Sequence, residues 1–247
     1  VDAILVADDA SPCSFDPVLL TASRLASVVR YERNQGIARG LNQGLSAAIE
    51  SKARWLLTID QDSRVTPGYV NSLVWNAASH RAAGMRIGAI GAEVIADASG
   101  ELRYPLKSTA QGPATEEIIQ TGTLWSVDAL ANVGGFDEEL AIDAVDAAAC
   151  LALREAGYQI SIAPGTTIEH RIGNSTMVSL MGRNVMVTRH ARQRRSSMLR
   201  NRLRLLPREF RQNPRHALRT IRRVTLNQTL GIFVHDPKPE QEGQSES

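Results

Sequence analysis

This sequence predicts an α/β fold with a largely parallel sheet, and three observations carry that reading. Short apolar runs end abruptly in acids one or two residues apart: Ala3–Ala7 before Asp8-Asp9, and Leu56–Ile59 before Asp60-Gln61-Asp62-Ser63. Segments with helical spacing separate such runs, the alternation that builds a parallel sheet. Apolar residues make up 43% of the 247 and mean hydropathy is −0.18, so the chain can build an ordinary core. No apolar stretch approaches the roughly 18 residues of a membrane-spanning helix, and Val1-Asp2-Ala3 has no charged leader preceding an apolar segment.

In chain order, Ala3–Ala7 reads as a strand that turns at Asp8–Pro12, and Pro17–Ser27 as a helix. Val28–Tyr31 is a second strand, broken by Asn34-Gln35-Gly36. Ile37, Leu41, Leu45, Ala48 and Ile49 give Ile37–Ser51 helical periodicity. Arg54–Ile59 is a third strand. Thr66-Pro67, an N-cap followed by a first-turn proline, starts a helix running to about Ala83. Ile87–Ile95 is a strand, the polar 97–116 region a surface loop, and Ile118–Trp125 a strand. Gly134-Gly135-Phe136 is a turn before a helix over Asp143–Ala156 that Gly157 closes. Tyr158–Ile162 and Thr166–His170 are short strands. An Arg-rich helix is predicted from about Asn184 to Leu206, another over Pro214–Gly231, and disorder from His235.

The acids at the strand ends hold the chemistry. Polar groups at the carboxyl ends of parallel strands line the crevice where α/β sheets bind ligands. Two carboxylates at Asp60 and Asp62 require compensation, and oxygen ligands on a short turn suit Mg²⁺ or Mn²⁺ holding a substrate phosphate. The same residues also fit a plain Asx-turn. Asp8 and Asp9 emerge at the same edge and either accept from a base or ribose or shape a turn. Gly40 and Gly44 share a helical face and permit close approach; their spacing is neither a dinucleotide fingerprint nor a P-loop. Asp143 and Asp146, one helical turn apart, offer a general base or simply favour the helix dipole. His170 gains meaning only if it converges with Asp62.

Charge is unevenly placed. Residues 171–223 contain fifteen Arg, no Lys and one acid, Glu209, within a chain of net charge +2. Such a basic arm suits an anionic membrane or a pyrophosphate, or serves as a solvated face that neutralises an acidic body. Leu199, Leu203, Leu206 and Phe210 sit at helical spacing among the Arg. This stripe fits an interfacial helix, and equally packing on the body or a second subunit. Aromatics are only 4%, without the interleaving that base stacking uses, so nucleic acid is not an expected partner. Cys13 and Cys150 lie far apart without metal-ligand spacing, and reduced thiols are expected.

In their order, these motifs resemble family 2 glycosyltransferases of the GT-A fold, over about residues 2–204. Val6–Ser11 looks like the family's nucleotide-binding strand. Asn34-Gln35-Gly36 and Asn42-Gln43-Gly44 resemble its paired N-x-G segments, and Asp60-Gln61-Asp62 its D-x-D signature. The Asp-Gln-Asp-Ser form is similar to rhamnosyltransferases of surface polysaccharide synthesis. Thr121-Gly122-Thr123, Gly134–Asp137 and Ile142–Asp146 resemble the acceptor side, His170–Gly173 the late H-x-x-G, and Arg200-Asn201 an R-N pair. The family pattern begins one strand earlier than this chain. Ala148 and Ala152 stand where it usually has an acid and an Arg, and Ser196-Ser197 where it has paired Tyr.

The resemblance implies inverting transfer of a sugar, rhamnose being one candidate, from a dTDP- or UDP-sugar to a lipid-linked or polysaccharide acceptor in cell-envelope synthesis. Asp146 would be the base, and Asp62 with His170 would hold Mn²⁺ or Mg²⁺. Asp8, Asn34, Gly36, Asn42 and Asp60 would bind the nucleotide-sugar. Asp143, Gly122, Thr123 and Arg200 would face the acceptor. The expected organisation is a catalytic domain over 1–182, a basic helical extension over 183–234 and a disordered tail over 235–247. The expected location is cytoplasmic, peripheral at the inner membrane face, with self-association left open. The alternative is a non-catalytic nucleotide-sugar or polyanion-binding module.

Overall fold

A computed structural model of the chain describes residues 1–12, 26–97, 100–140, 142–170, 174–180, 183–189 and 192–233; for 174–180, 183–189, 192–195 and 227–233 the backbone alone is described. The elements are β1 (Ile4–Asp8), β2 (Ala26–Arg30), α1 (Ile37–Glu50), β3 (Trp55–Thr58), β4 (Ser63–Val65), α2 (Tyr69–Ala82) and β5 (Ile87–Asp97). There follow β6 (Gly100–Arg103), β7 (Lys107–Thr109), β8 (Gly112–Thr115), β9 (Thr123–Ser126), α3 (Val127–Asn132), a 3₁₀ turn (Glu138–Leu140) and α4 (Val145–Glu155). The chain continues through β10 (Gln159–His170), β11 (Asn174–Leu180), β12 (Arg183–Arg189), α5 (Arg192–Gln212) and α6 (Pro214–Phe233).

The central sheet runs β3-β9-β5-β10-β8-β7, with β4 added to β10 and β6 to β5. The α/β class holds, but the sheet is mixed rather than mostly parallel. β5 pairs β10 in parallel, whereas β9 runs antiparallel to both β3 and β5. β1 and β2 form a separate parallel pair. Alternation along β5 separates the two cores: Ala89 joins one cluster and its neighbour Ile90 the other. On the first side Leu45, Trp125, Leu130, Phe136, Leu151 and Leu153 pack together, with Leu205 of α5 closing the cluster. On the other, Tyr69, Leu73 and Ala77 of α2 cover Ile90 and Ile168. No helix among the described residues is long and apolar enough to cross a membrane.

Several sequence expectations are corrected. The 97–116 region contains β6, β7 and β8, because β5 and β10 leave backbone groups that β6 and β8 pair, and β8 in turn pairs β7. The strand expected over Ile118–Trp125 is confined to β9; residues 118–122 leave the ladder and are held by Gly122 N to Thr58 O and by the side chains of Thr121 and Tyr104. α2 begins at Tyr69, after Gly68 in the left-handed region, not at Pro67. β10 merges two expected strands, with a register irregularity between Ala163 and Thr167. Residues 183–189 are a hairpin strand paired with β11, so the Arg-rich helix begins at Arg192 and the expected 182/183 boundary falls within that hairpin. The alternation Val185-Met186-Val187-Thr188 is the strand signal that the Arg count obscured. Of the expected 17–27 helix, Ala26 and Ser27 lie in β2; the rest, like Cys13, Gly173 and the 235–247 tail, lies outside the described residues.

Candidate functional site

β3 ends at Thr58, and its last residues are held from below by the segment 120–122. Gly122 N donates to Thr58 O at 2.7 Å and Asp60 N to Thr121 Oγ1 at 2.9 Å. Gln120 Nε2 donates to Asp60 Oδ1. The turn closes with Ser63 N donating to Asp60 O at 3.0 Å, and Ser63 then opens β4. β4 runs antiparallel to the end of β10, which puts His170 directly opposite Ser63. Ser63 Oγ lies 2.7 Å from Thr121 Oγ1 and 2.9 Å from His170 Nδ1. His170 Nδ1 is also 3.3 Å from Asp62 Oδ1.

Strand pairing therefore delivers His170 to the two aspartates. One ligand atom each from Asp60, Asp62 and His170 lies within 4.8 Å of the others. Two carboxylates and an imidazole fit Mn²⁺, and Mg²⁺ through the oxygens. Burial pushes the Asp60 carboxyl up, against the Gln120 hydrogen bond and the nearby His170, while Asp62 reinforces the rise. A cation would relieve that like-charge crowding. Glu117, Glu209 and His216 make a second such group, but the guanidiniums of Arg202 and Arg223 already neutralise it, which leaves no charge deficit for a metal to fill.

Other expected site residues are placed differently. Asp8 is buried: Ser11 N donates to Oδ1 at 2.9 Å, and Arg30 Nε sits 3.2 Å from Oδ2. The Ser11 hydrogen bonds and Arg30 hold its carboxyl below the usual range. Asp9 accepts from Gln35 N and Gly36 N at 2.6 and 2.9 Å, so Gly36 is fixed by the neighbour of the residue expected to bind nucleotide. Ala10, Arg30, Tyr31 and Glu32 line an open cavity of about 360 Å³ beside them. Asn34 is exposed next to it.

Asn42, expected to bind the nucleotide-sugar, clamps a turn across the fold. Its Nδ2 donates to Phe136 O and Glu138 Oε1, both at 2.9 Å, and its Oδ1 accepts from Phe136 N at 2.8 Å. Both ends of the amide are thus spent on the Gly134–Phe136 turn. Gly122 and Thr123, expected to face the acceptor, are both buried. Gly122 (φ +70°) accepts from Tyr69 Oη at 2.6 Å, and a Cβ there would lie 2.3 Å from Ile168 Cδ1. Thr123 Oγ1 donates to Ile119 O at 2.6 Å.

Asp146 sits in the first turn of α4, its Oδ1 accepting from Ala147 N at 2.8 Å. Burial pushes its carboxyl up, Arg202 opposes this, and Glu117 adds to it. Asp143 lies before the helix, separated from it by Ala144 in the left-handed region, so the two acids do not share a helical face as expected. The Tyr104 hydroxyl accepts from Ile119 N at 3.1 Å, beside the segment under Asp60, and burial pushes its phenol up. Arg200 is exposed on α5.

Sequence reasoning missed Gln120 and the part that Thr121 and Ser63 play in shaping the aspartate turn, and it missed Glu116-Glu117, which receive the basic helices. Glu116 binds Arg154 at 2.6 Å and Asn213 at 2.7 Å. Glu117 binds Arg202 at 2.8 Å and Arg223 at 2.6 Å. Arg204 pairs with Glu139 and Arg208 with Glu155. Part of the Arg excess therefore neutralises the acidic body. Of the expected apolar stripe, Leu199, Leu203 and Phe210 are 41%, 54% and 38% exposed and Leu206 is half-buried, while the adjacent Leu205 is buried in the core.

Comparison with known proteins places this geometry. The family model described as "Glycosyl transferase family 2" matches residues 1–130. The chain is 29% identical over 188 residues to "dTDP-rhamnosyl transferase RfbF" of Shigella flexneri, which covers 70% of this chain and 60% of that protein. The chain thus spans about 60% of the length of this curated relative. Among solved structures, the mannosyltransferase PcManGT from Pyrobaculum calidifontis, in complex with GDP-Man and Mn²⁺, aligns with a TM-score of 0.54 at 13% identity, over 95% of this chain and 67% of that one. GalNAc-T7 with UDP, GalNAc and Mn²⁺ aligns with a TM-score of 0.52 at 14% identity, over 81% of this chain and 41% of that one. At these identities the structural likeness speaks for the GT-A fold alone.

Proposed function

Because the chain belongs to glycosyl transferase family 2, we propose that it moves a sugar from a nucleotide donor to an acceptor hydroxyl with inversion. The observation that carries this reading is the convergence of Asp60, Asp62 and His170 on one point at the end of β3. Those three residues would hold Mn²⁺ or Mg²⁺, whose charge supports the leaving diphosphate. Asp146 takes the acceptor proton as the sugar carbon becomes oxocarbenium-like. Its raised pKa suits it to that task, because a carboxylate reluctant to stay ionised is the stronger base. The likeness to a dTDP-rhamnosyl transferase supports dTDP-rhamnose as donor.

The acceptor in this reading is lipid-linked or polysaccharide, met at an anionic membrane of the cell envelope from its cytoplasmic side. Leu199, Leu203 and Phe210 are exposed on α5 beside Arg200 and Arg211, an apolar strip with a basic margin. Each Arg near an anionic surface contributes about 1 kcal/mol. The rival reading, a non-catalytic nucleotide-sugar-binding module, is favoured by Ala148, which is buried in the apolar core where an acid is usual in the family.

Calorimetric titration with dTDP and UDP, in Mn²⁺ and in EDTA, tests the donor site. Metal-dependent binding that Asp62→Asn abolishes is expected. Binding indifferent to both the ion and Asp62 would sink the metal assignment. Asp146→Asn is expected to remove turnover and leave nucleotide affinity nearly intact. Equal loss of affinity would show its role to be misassigned, and metal-dependent binding without turnover in the unsubstituted chain would favour the rival.

A further inference from the structure

α5 presents its exposed Leu and Arg residues outward, and its inner face is bonded to the segment that leads into α4. Asn201 is buried, at 8% exposure. Its Nδ2 donates both hydrogens, one to Leu140 O at 3.0 Å and one to Asp143 O at 2.8 Å. These carbonyls stand on either side of the connection between the 3₁₀ turn and α4. Beyond it Ala144 takes a left-handed conformation and α4 begins, with Asp146 in its first turn. A left-handed alanine is strained and persists only where surrounding contacts over-determine it. The two bonds from Asn201 are such contacts. Arg204 to Glu139 and Arg208 to Glu155 add ion pairs at the 3₁₀ turn and the far end of α4.

We propose that Asn201 is a positioning residue for the transfer reaction: by tying the Leu140 and Asp143 carbonyls it fixes the turn that aims Asp146 at the acceptor. The proposal rests on the reading of Asp146 as base. Asn201 touches neither substrate nor reacting atoms and acts through the backbone it holds. An amide is suited to the place because one nitrogen supplies two hydrogens at the angle that the two carbonyls require. A carboxylate of the same shape would set oxygen against oxygen.

The test uses the full chain with dTDP-rhamnose and a lipid-linked acceptor, following dTDP release across pH, with calorimetric dTDP–Mn²⁺ binding alongside. Asn201→Ala is expected to lower kcat about 10- to 100-fold, the usual effect of misplacing a reacting group by an ångström. The donor KM and dTDP affinity should change less than about twofold, and the limb of the pH–rate profile that reports the base should move. Asn201→Asp should be worse than Ala; where it does not fold, Ala carries the test. A wild-type kcat and pH profile in Asn201→Ala, with Asp146→Asn inactive, overturns the inference and spares the base assignment. Loss of nucleotide binding in step with kcat also overturns it, by showing general disruption. Full turnover by Asp146→Asn overturns the base assignment and this inference with it.

Discussion

Glu117→Gln measures how firmly the C-terminal helices belong to the catalytic body. Glu117 accepts from Arg202 of α5 and Arg223 of α6, and it and Arg202 keep only 18% and 19% of their side-chain surface. An ion pair about 4 Å apart gains roughly 4 kcal/mol at an effective dielectric of 20, less the desolvation of both partners. Removing one partner of a buried pair costs about 3–5 kcal/mol, because the other charge is left uncompensated. Arg223 is half exposed, so solvent screens its share of the attraction. Gln keeps one acceptor oxygen, so the expected loss is roughly 2–4 kcal/mol. For a chain of this size that lowers Tm by roughly 4–16 °C.

The pH dependence follows from the same contacts. Burial alone would raise Glu117, but Arg202 and Arg223 more than reverse it and hold the carboxyl far below its usual 4.5. A depressed carboxylate stabilises the fold above its unfolded pKa, and that stabilisation is lost as pH falls toward the folded value. The gap between wild type and Glu117→Gln should therefore be full near pH 7 and narrow as pH drops below about 4.5. Glu209, raised by burial, has the opposite sign and destabilises as it ionises. Thermal melts of both proteins from pH 3 to 7 are the assay. A loss under about 1 kcal/mol, or a gap that stays constant with pH, would refute the claim that this ion pair docks the helices.

Two further perturbations probe other parts of the fold. Gly122→Ala sets a Cβ 2.3 Å from Ile168 Cδ1 and 2.7 Å from Tyr69 Oη at a positive φ; a loss of roughly 2–5 kcal/mol in urea unfolding is expected, and a change under about 1 would mean that the segment relaxes freely. Leu203→Glu with Phe210→Glu in the full chain should abolish flotation on anionic vesicles and leave Tm nearly unchanged, since both are exposed; undiminished flotation rules out this face as the membrane contact.

Local periodicity made much of the fold legible. α1, β5 and α4 lie where apolar spacing and flanking Gly place them, because helix and strand periods are written within a few turns of chain. β6, β7 and β8 were not legible, since these short polar strands exist only by pairing: β6 with β5, β8 with β10 and β7 with β8. The bonds of Asn42 were hidden for a similar reason. Its sequence context says only that a polar side chain lies on a helix, while its partner Phe136 is far along the chain.

By itself the sequence determined the α/β class, the acids at the ends of β1 and β3, the order of the family motifs and the Arg-rich composition of the C-terminal segment. Tertiary structure decided which of those residues meet. The β4–β10 ladder brings His170 to Asp62, Asp8 turns inward to Arg30 and Ser11, and Asn201 binds the turn before Asp146. The division has a physical cause. Propensity and period act between near neighbours, whereas hydrogen-bond closure and charge pairing depend on which distant segments the core packs together.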